Sequence, residues 1–99
     1  MAKGGWVYFM TDRYRGTLYT GVTAFLPERI TQHRHGKGAE FTRKYALTRF
    51  VYAEHLDRIE DAIAREKAIK KWRRDWKIEL IEKVNPEWND LYDQIIGAS

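Results

Sequence analysis

The chain has 99 residues, 43% hydrophobic and 14% aromatic, which supplies enough apolar side chain for one core and too much for a disordered segment. Its 18 Lys and Arg against 14 Asp and Glu give a formal net charge of +4, a balance that favours a phosphate-bearing partner. There is no cysteine, so disulfide staples, zinc ribbons and thiolate nucleophiles are excluded and a reducing compartment is compatible.

The stretch Met1-Ala2-Lys3-Gly4-Gly5 leads straight into strand-like residues without the apolar centre of a signal peptide. No uncharged stretch approaches the roughly 18 to 20 residues of a membrane span. These features predict a soluble, cytoplasmic protein with no membrane partner. No internal repeat or low-complexity stretch divides the sequence. Residues 1–99 are therefore expected to form a single domain, with its core over 5–84 and a C-terminal helix over 86–96.

Val7-Tyr8-Phe9-Met10 and Leu18-Tyr19-Thr20 with Val22-Thr23 are strand formers on either side of the polar loop Asp12-Arg13-Tyr14-Arg15-Gly16, which predicts a β-hairpin. Side chains alternate between faces, so a one-residue slip would move a whole set across the sheet. A register in which paired numbers sum to an odd value sets Tyr8 and Tyr19 on one face and Val7, Phe9, Leu18 and Val22 on the other. That register is the expected one.

Pro27 suits a first helical position and Gly36 a stop, predicting a short helix over Phe25–His33 in which Arg29 and His33 share a face beside Leu26 and Ile30. Gly36–Tyr45 has no clear period and is read as a loop, and Arg49–His55 alternates like a third strand. Asp57 with Glu60 three positions on forms a capping-box pattern opening a helix that runs through Lys70 or Trp72. Two further helices are expected, one marked by Trp76, Leu80, Ile81 and Val84 and the other by Trp88, Leu91, Tyr92 and Ile95, with Asn85-Pro86 interrupting them. The class is thus α/β of the α+β type, a three-stranded antiparallel sheet flanked by helices, with any site on one sheet face.

In DRIEDAIAREKAIKKW the apolar stripe of Ile59, Ala62, Ile63 and Ile69 passes through Glu66. A carboxylate facing a core requires a partner, because an unpaired one costs several kcal/mol. A lysine one turn on, Lys70, an arginine such as Arg29, a proton and a metal ion are all candidates.

The ordered set Trp6-Val7-Tyr8, Tyr19-Thr20-Gly21, Arg29, His33, Glu66 and Asn85 resembles the GIY-YIG nucleases of the small stand-alone type. GAEFTRKY, AREKAIKKW and NPEWNDLY extend the resemblance over nearly the whole chain. Trp6 stands where the family name has Gly, and Val7 where it has Ile. The resemblance implies a metal-dependent endonuclease that hydrolyses phosphodiester bonds in nucleic acid, DNA ahead of RNA, in repair or processing, with one Mg²⁺ or Mn²⁺ ion. A protein partner or a homodimer is compatible with it. It also implies roles for particular residues. Glu66 would be the single protein carboxylate on the ion, and Arg29 a planar cation for the transition-state charge. Tyr8 and Tyr19 would share proton handling and phosphate contact, and His33 would be a base or a phosphate ligand. Gly21, Asn85 and Lys70 would be substrate contacts. A phenol with an ordinary pKa near 10 needs a nearby cation to act as a base, and Arg29 or the ion could lower it.

Other readings of the same residues stand beside this one. Tyr8 and Tyr19 could simply pack across the hairpin, and Asn85 could cap a helix beginning at Pro86. A non-catalytic nucleic-acid-binding module retaining the fold is the main alternative function, and a tyrosine-linked transesterase the third. His35 and His55 are read as surface or strand residues, and the single serine, Ser99, is terminal, which excludes a Ser-His-Asp hydrolase. Lys67, Lys70, Lys71, Arg73, Arg74 and Lys77 make a basic run that solvent or a nucleic-acid backbone could face, with Trp72 and Trp76 expected in the core.

Overall fold

The structure, a computed structural model, describes residues 4–96. Met1–Lys3 and Ser99, to which the leader and serine-hydrolase arguments refer, lie outside the described residues. The strands are β1 (Gly5–Thr11), β2 (Leu18–Thr23) and β3 (Arg49–Leu56), and the helices α1 (Leu26–Arg34), α2 (Glu40–Lys44), α3 (Ile59–Lys70), α4 (Arg74–Glu82) and α5 (Tyr92–Ile95). The three strands form one antiparallel sheet, as the alternation of the sequence predicts, and their order is β2-β1-β3.

The hairpin register pairs Tyr8 with Gly21 and Met10 with Tyr19, so the two tyrosines share a face. Val7 and Phe9 face the other way and join Ala62, Ile69, Ile81 and Trp88 in one apolar cluster, with Leu18 and Val22 packed against it. Tyr8 and Met10 belong to a second cluster with Leu26, Ile30, Leu47 and Phe50, against which Tyr19, Leu91, Tyr92 and Ile95 pack. The sheet is therefore covered on both sides, by α3 and α4 on one and by α1 and the C-terminal segment on the other. A bulge between Phe9 and Met10 on the β1–β3 side pairs Phe9 with Tyr52 but Met10 with Phe50, and leaves Val51 as the extra residue.

Several local expectations are corrected. Glu40–Lys44, read as loop, is helical. Five residues are too few to show a 3.6-residue period. The residue preceding α3 is Arg58, with no side-chain cap, so the Asp57–Glu60 capping box does not form. Glu60 pairs instead with Arg58 at 2.9 Å. Of the stripe expected on α4 only Ile81 is buried, while Trp76 and Val84 are 47% and 68% exposed. Trp72 packs against the core, but Trp76 stands at the surface, where the two line a cavity of about 320 Å³ with Leu80. The last helix is only Tyr92–Ile95. Trp88 precedes it, fully buried and with a left-handed φ of 58°.

Candidate active site

Tyr8 is 1% exposed, in the middle of the central strand. Its hydroxyl lies 2.8 Å from Nε2 of His33 on α1. Thr42 on α2 completes the arrangement and settles its polarity. The Thr42 hydroxyl donates its one hydrogen to the Ala39 carbonyl at 2.8 Å. It can therefore only accept from Nδ1 of His33, 2.9 Å away. Nδ1 is then the protonated ring nitrogen, Nε2 is an acceptor, and the Tyr8 hydroxyl donates to it. Burial, reinforced by the charge of Arg29, lowers the His33 pKa to about 4, so the ring is neutral at ordinary pH.

Two glycines make room for this pair. A β-carbon at Gly21 would lie 2.5 Å from the Tyr8 hydroxyl and 2.9 Å from Cε2 of Tyr19. The bare backbone expected to admit substrate thus admits the Tyr8 ring. A β-carbon at Gly38 would lie 2.2 Å from Nδ1 of His33. The sequence reading singled out neither Gly38 nor Thr42. The only signal for them was GAEFTRKY, whose resemblance to relatives names no role.

Tyr19 is half-buried, its ring centroid 6.3 Å from Tyr8 and 5.6 Å from His33. Arg29, one turn before His33 on α1, is exposed and lines an open cavity of about 260 Å³ with Thr23, Glu28 and Gln32. Glu66, 8% exposed, comes from α3, whose apolar residues Ala62 and Ile69 pack on the face opposite Tyr8. The charges of Arg29 and Glu66 both act on the Tyr8 hydroxyl, the first lowering and the second raising its pKa. The residues expected in the site come from β1, β2, α1 and α3, and Glu66 lies on the helix that packs against the opposite sheet face. Arg29 acts on the phenol in the expected direction, but it does not decide the outcome. Arg29 does pull the Tyr8 pKa down, but burial, then Tyr19 and Glu66, raise it further, and the phenol sits above its ordinary value.

Lys70 pairs with Glu66, Nζ to Oε2 at 2.7 Å. The lysine side chain is 52% exposed and the glutamate 10%, so a buried acid holds a counter-ion that can swing into solvent. Asn85 does not join the group. Its Nδ2 donates to the Val51 and Asn89 carbonyls at 2.9 and 3.0 Å, and its Oδ1 accepts from Asn89 N at 3.1 Å. Asn85 fastens the β3 bulge to the turn that buries Trp88. His35 and His55 are exposed, the latter against the Trp6 ring at 4.8 Å.

Residues 4–79 match the GIY-YIG catalytic domain. The chain belongs to the GIY-YIG family. Among its GIY-YIG relatives, the UPF0213 protein of Syntrophus aciditrophicus is 40% identical over 72 residues, covering 72% of this chain and 82% of its own. The UPF0213 protein of Desulfotalea psychrophila is 33% identical over 91 residues, 91% of this chain and 83% of its own. That of Clostridium perfringens is 42% identical over 65 residues, 66% of this chain and 70% of its own. No solved structure matches the chain. GIY-YIG membership places the chain in a nuclease superfamily whose substrate is nucleic acid and whose members are typically metal-dependent.

No cluster of three or more His, Asp or Glu side chains that could cage a metal occurs among the described residues. Glu66 alone suits a hard divalent ion that keeps most of its waters and completes its shell with substrate phosphate. A buried carboxylate paired with a half-exposed lysine is consistent with that use. No helix among the described residues is long and apolar enough to cross a membrane.

Proposed function

We propose that the chain is a metal-dependent endonuclease that hydrolyses phosphodiester bonds, with DNA ahead of RNA as substrate and a repair or processing role. The observation that carries this reading is the buried Tyr8–His33 hydrogen bond with the Tyr19 ring beside both, at a phenol whose pKa the charges of Arg29 and Glu66 shift. The hydrogen of Tyr8 is engaged by Nε2 of His33, so toward the site its oxygen can act only as an acceptor. It orients the attacking water and takes its proton while its own proton moves to His33. At rest the raised phenol and lowered imidazole pKa values keep that proton on Tyr8. The water oxygen bonds to phosphorus, the bond to the leaving sugar oxygen breaks, that oxygen takes a proton from solvent, and His33 returns its proton through Tyr8 to solvent. Tyr19 donates to a non-bridging phosphate oxygen, and the Arg29 guanidinium stabilises the charge that grows on phosphorus's oxygens. Glu66 would hold a Mg²⁺ or Mn²⁺ ion, which supplies Lewis-acid stabilisation of the same charge when bound. With Glu66 holding the ion, Lys70 would be released from its pair and free to contact the substrate backbone.

The test is cleavage of single- and double-stranded DNA and RNA by the purified chain in Mg²⁺ and Mn²⁺. Glu66→Gln and Arg29→Ala should each lose at least about 100-fold, in line with removal of one charge-stabilising group. Full activity in both variants would overturn the reading. The Lys70–Glu66 pair favours a second reading, a nucleic-acid-binding module without turnover, since the acid already has a cation. Binding that survives Glu66→Gln, with no product in either metal, would select it. A tyrosine-linked transesterase would leave a substrate adduct on Tyr8 or Tyr19, and adduct-free single-turnover cleavage would exclude it.

A further inference from the structure

Phe41 and Tyr45 are 43% and 47% exposed and belong to neither apolar cluster of the fold. Burial does not explain two large rings left half in water. Their placement is ordered nonetheless. The Phe41 ring stacks on Tyr19, centroids 6.3 Å apart and planes 26° from parallel. Tyr45 lies one turn on, its centroid 4.8 Å from Phe41. Between them in sequence, Thr42 points inward and holds His33. The short helix thus has an inner side that supports the Tyr8–His33 pair and an outer side that carries an aromatic row from Tyr19 to the surface.

The same helix is basic. Arg43 and Lys44 form its last turn, and the Lys44 ammonium lies 5.4 Å from the Tyr45 ring centre. Exposed rings flanked by cations, continuous at one end with a phosphate-handling phenol, match the chemistry of a strand whose backbone is tracked by charge and whose bases stack on aromatics. A base inside a duplex has both faces covered by its neighbours and cannot lie on such a row without leaving the stack.

We propose that Phe41 and Tyr45 form a stacking platform for an unpaired nucleobase next to the scissile phosphate, so that the substrate class is single-stranded nucleic acid. This rests on the nuclease reading for the phosphate's position and extends it to the substrate. The platform selects by strandedness rather than by sequence, because every base offers a π-face.

The experiment is a binding titration of the full chain in EDTA, which prevents turnover, with a fluorescein-labelled single-stranded DNA oligonucleotide and with the blunt duplex of the same sequence. The double variant Phe41→Leu/Tyr45→Leu should bind the single strand about 5- to 100-fold more weakly, the range for losing one base–aromatic stack, with duplex affinity changed less than about threefold. Tyr45→Leu alone touches only the outermost ring and should show part of that loss, whereas Tyr45→Phe, which keeps the π-face, should bind like the parent. Unchanged single-strand affinity in both leucine variants, or an equal loss on the duplex, would overturn the platform. The titration needs no cleavage. A parent that failed to cut any substrate would therefore count against the nuclease reading alone, while ring-dependent preference for the single strand would still support the platform.

Discussion

The Tyr8 hydroxyl donates to Nε2 of His33 across 2.8 Å, in an interior where the phenol is 1% and the imidazole 2% exposed. The direction of that bond is fixed a further step away, by a threonine hydroxyl already engaged with a backbone carbonyl. A chain of three side chains therefore decides which lone pair of Tyr8 faces the site.

Thr42→Val removes the acceptor at Nδ1 and releases the imidazole tautomer. Single-turnover cleavage should slow by about 10- to 100-fold, the scale seen when a group orienting a histidine is removed, with nucleic-acid affinity unchanged. Thr42→Ser restores the hydroxyl and should return most of the rate, which a purely steric role for the threonine methyl would not.

His33 makes stability depend on pH. Its folded pKa, about 4, lies below the ordinary 6.5. Between these values the unfolded chain binds a proton that the folded chain does not, so the contribution is complete above about pH 6.5 and is lost as pH falls toward 4. At about 1.4 kcal/mol per pH unit, the loss amounts to roughly 3 kcal/mol. Urea unfolding of the parent and of His33→Gln at pH 7, 5.5 and 4.5 measures it, and the variant should show the shallower slope.

Gly21→Ala places a methyl group 2.5 Å from the Tyr8 hydroxyl. The ring must move away, since a strand backbone at the sheet edge cannot retreat without breaking its pairing with β1. A stability loss of about 1–3 kcal/mol is expected from such overpacking, together with at least a tenfold loss of cleavage. Thermal unfolding and turnover measured on the same preparation separate the two effects.

Asn85→Ala should act on folding rather than on the reaction. It leaves the buried Val51 carbonyl without its partner, at about 1–3 kcal/mol, and removes the bond to the exposed Asn89 amide. Denaturant midpoint should fall accordingly, while kcat/KM per folded molecule stays within about threefold of the parent. A selective rise in KM would instead assign Asn85 to the substrate.

Lys70→Gln removes the resting counter-ion of Glu66. Mn²⁺ affinity, read by electron paramagnetic resonance of the free ion, should tighten about 3- to 10-fold, the range corresponding to a partly screened ion pair. Glu66→Gln should abolish the same signal change.

What the sequence determined follows from local rules. Alternation placed β1, β2 and β3, and the odd-sum register followed from it, because a slip would have turned Val7 and Phe9 to the wrong face. The oddity of Glu66 was also legible, since a carboxylate within an apolar stripe is visible at 3.6-residue spacing without coordinates. Other features escaped because they depend on contacts between distant segments. The five-residue α2 has no period to read, yet it carries Thr42 to His33 and Phe41 to Tyr19. Spacing marks Asn85 as a polar residue before a proline but says nothing of the Val51 carbonyl that claims its amide. The protonation of Tyr8 was likewise a tertiary matter. The sequence supplied Arg29 as a cation that lowers a phenol pKa, and only packing revealed that burial raises it more. Residue identity and periodicity set which groups can meet at a sheet. Solvent exclusion and the direction of each hydrogen bond, which settle what those groups do, exist only once the chain has closed around them.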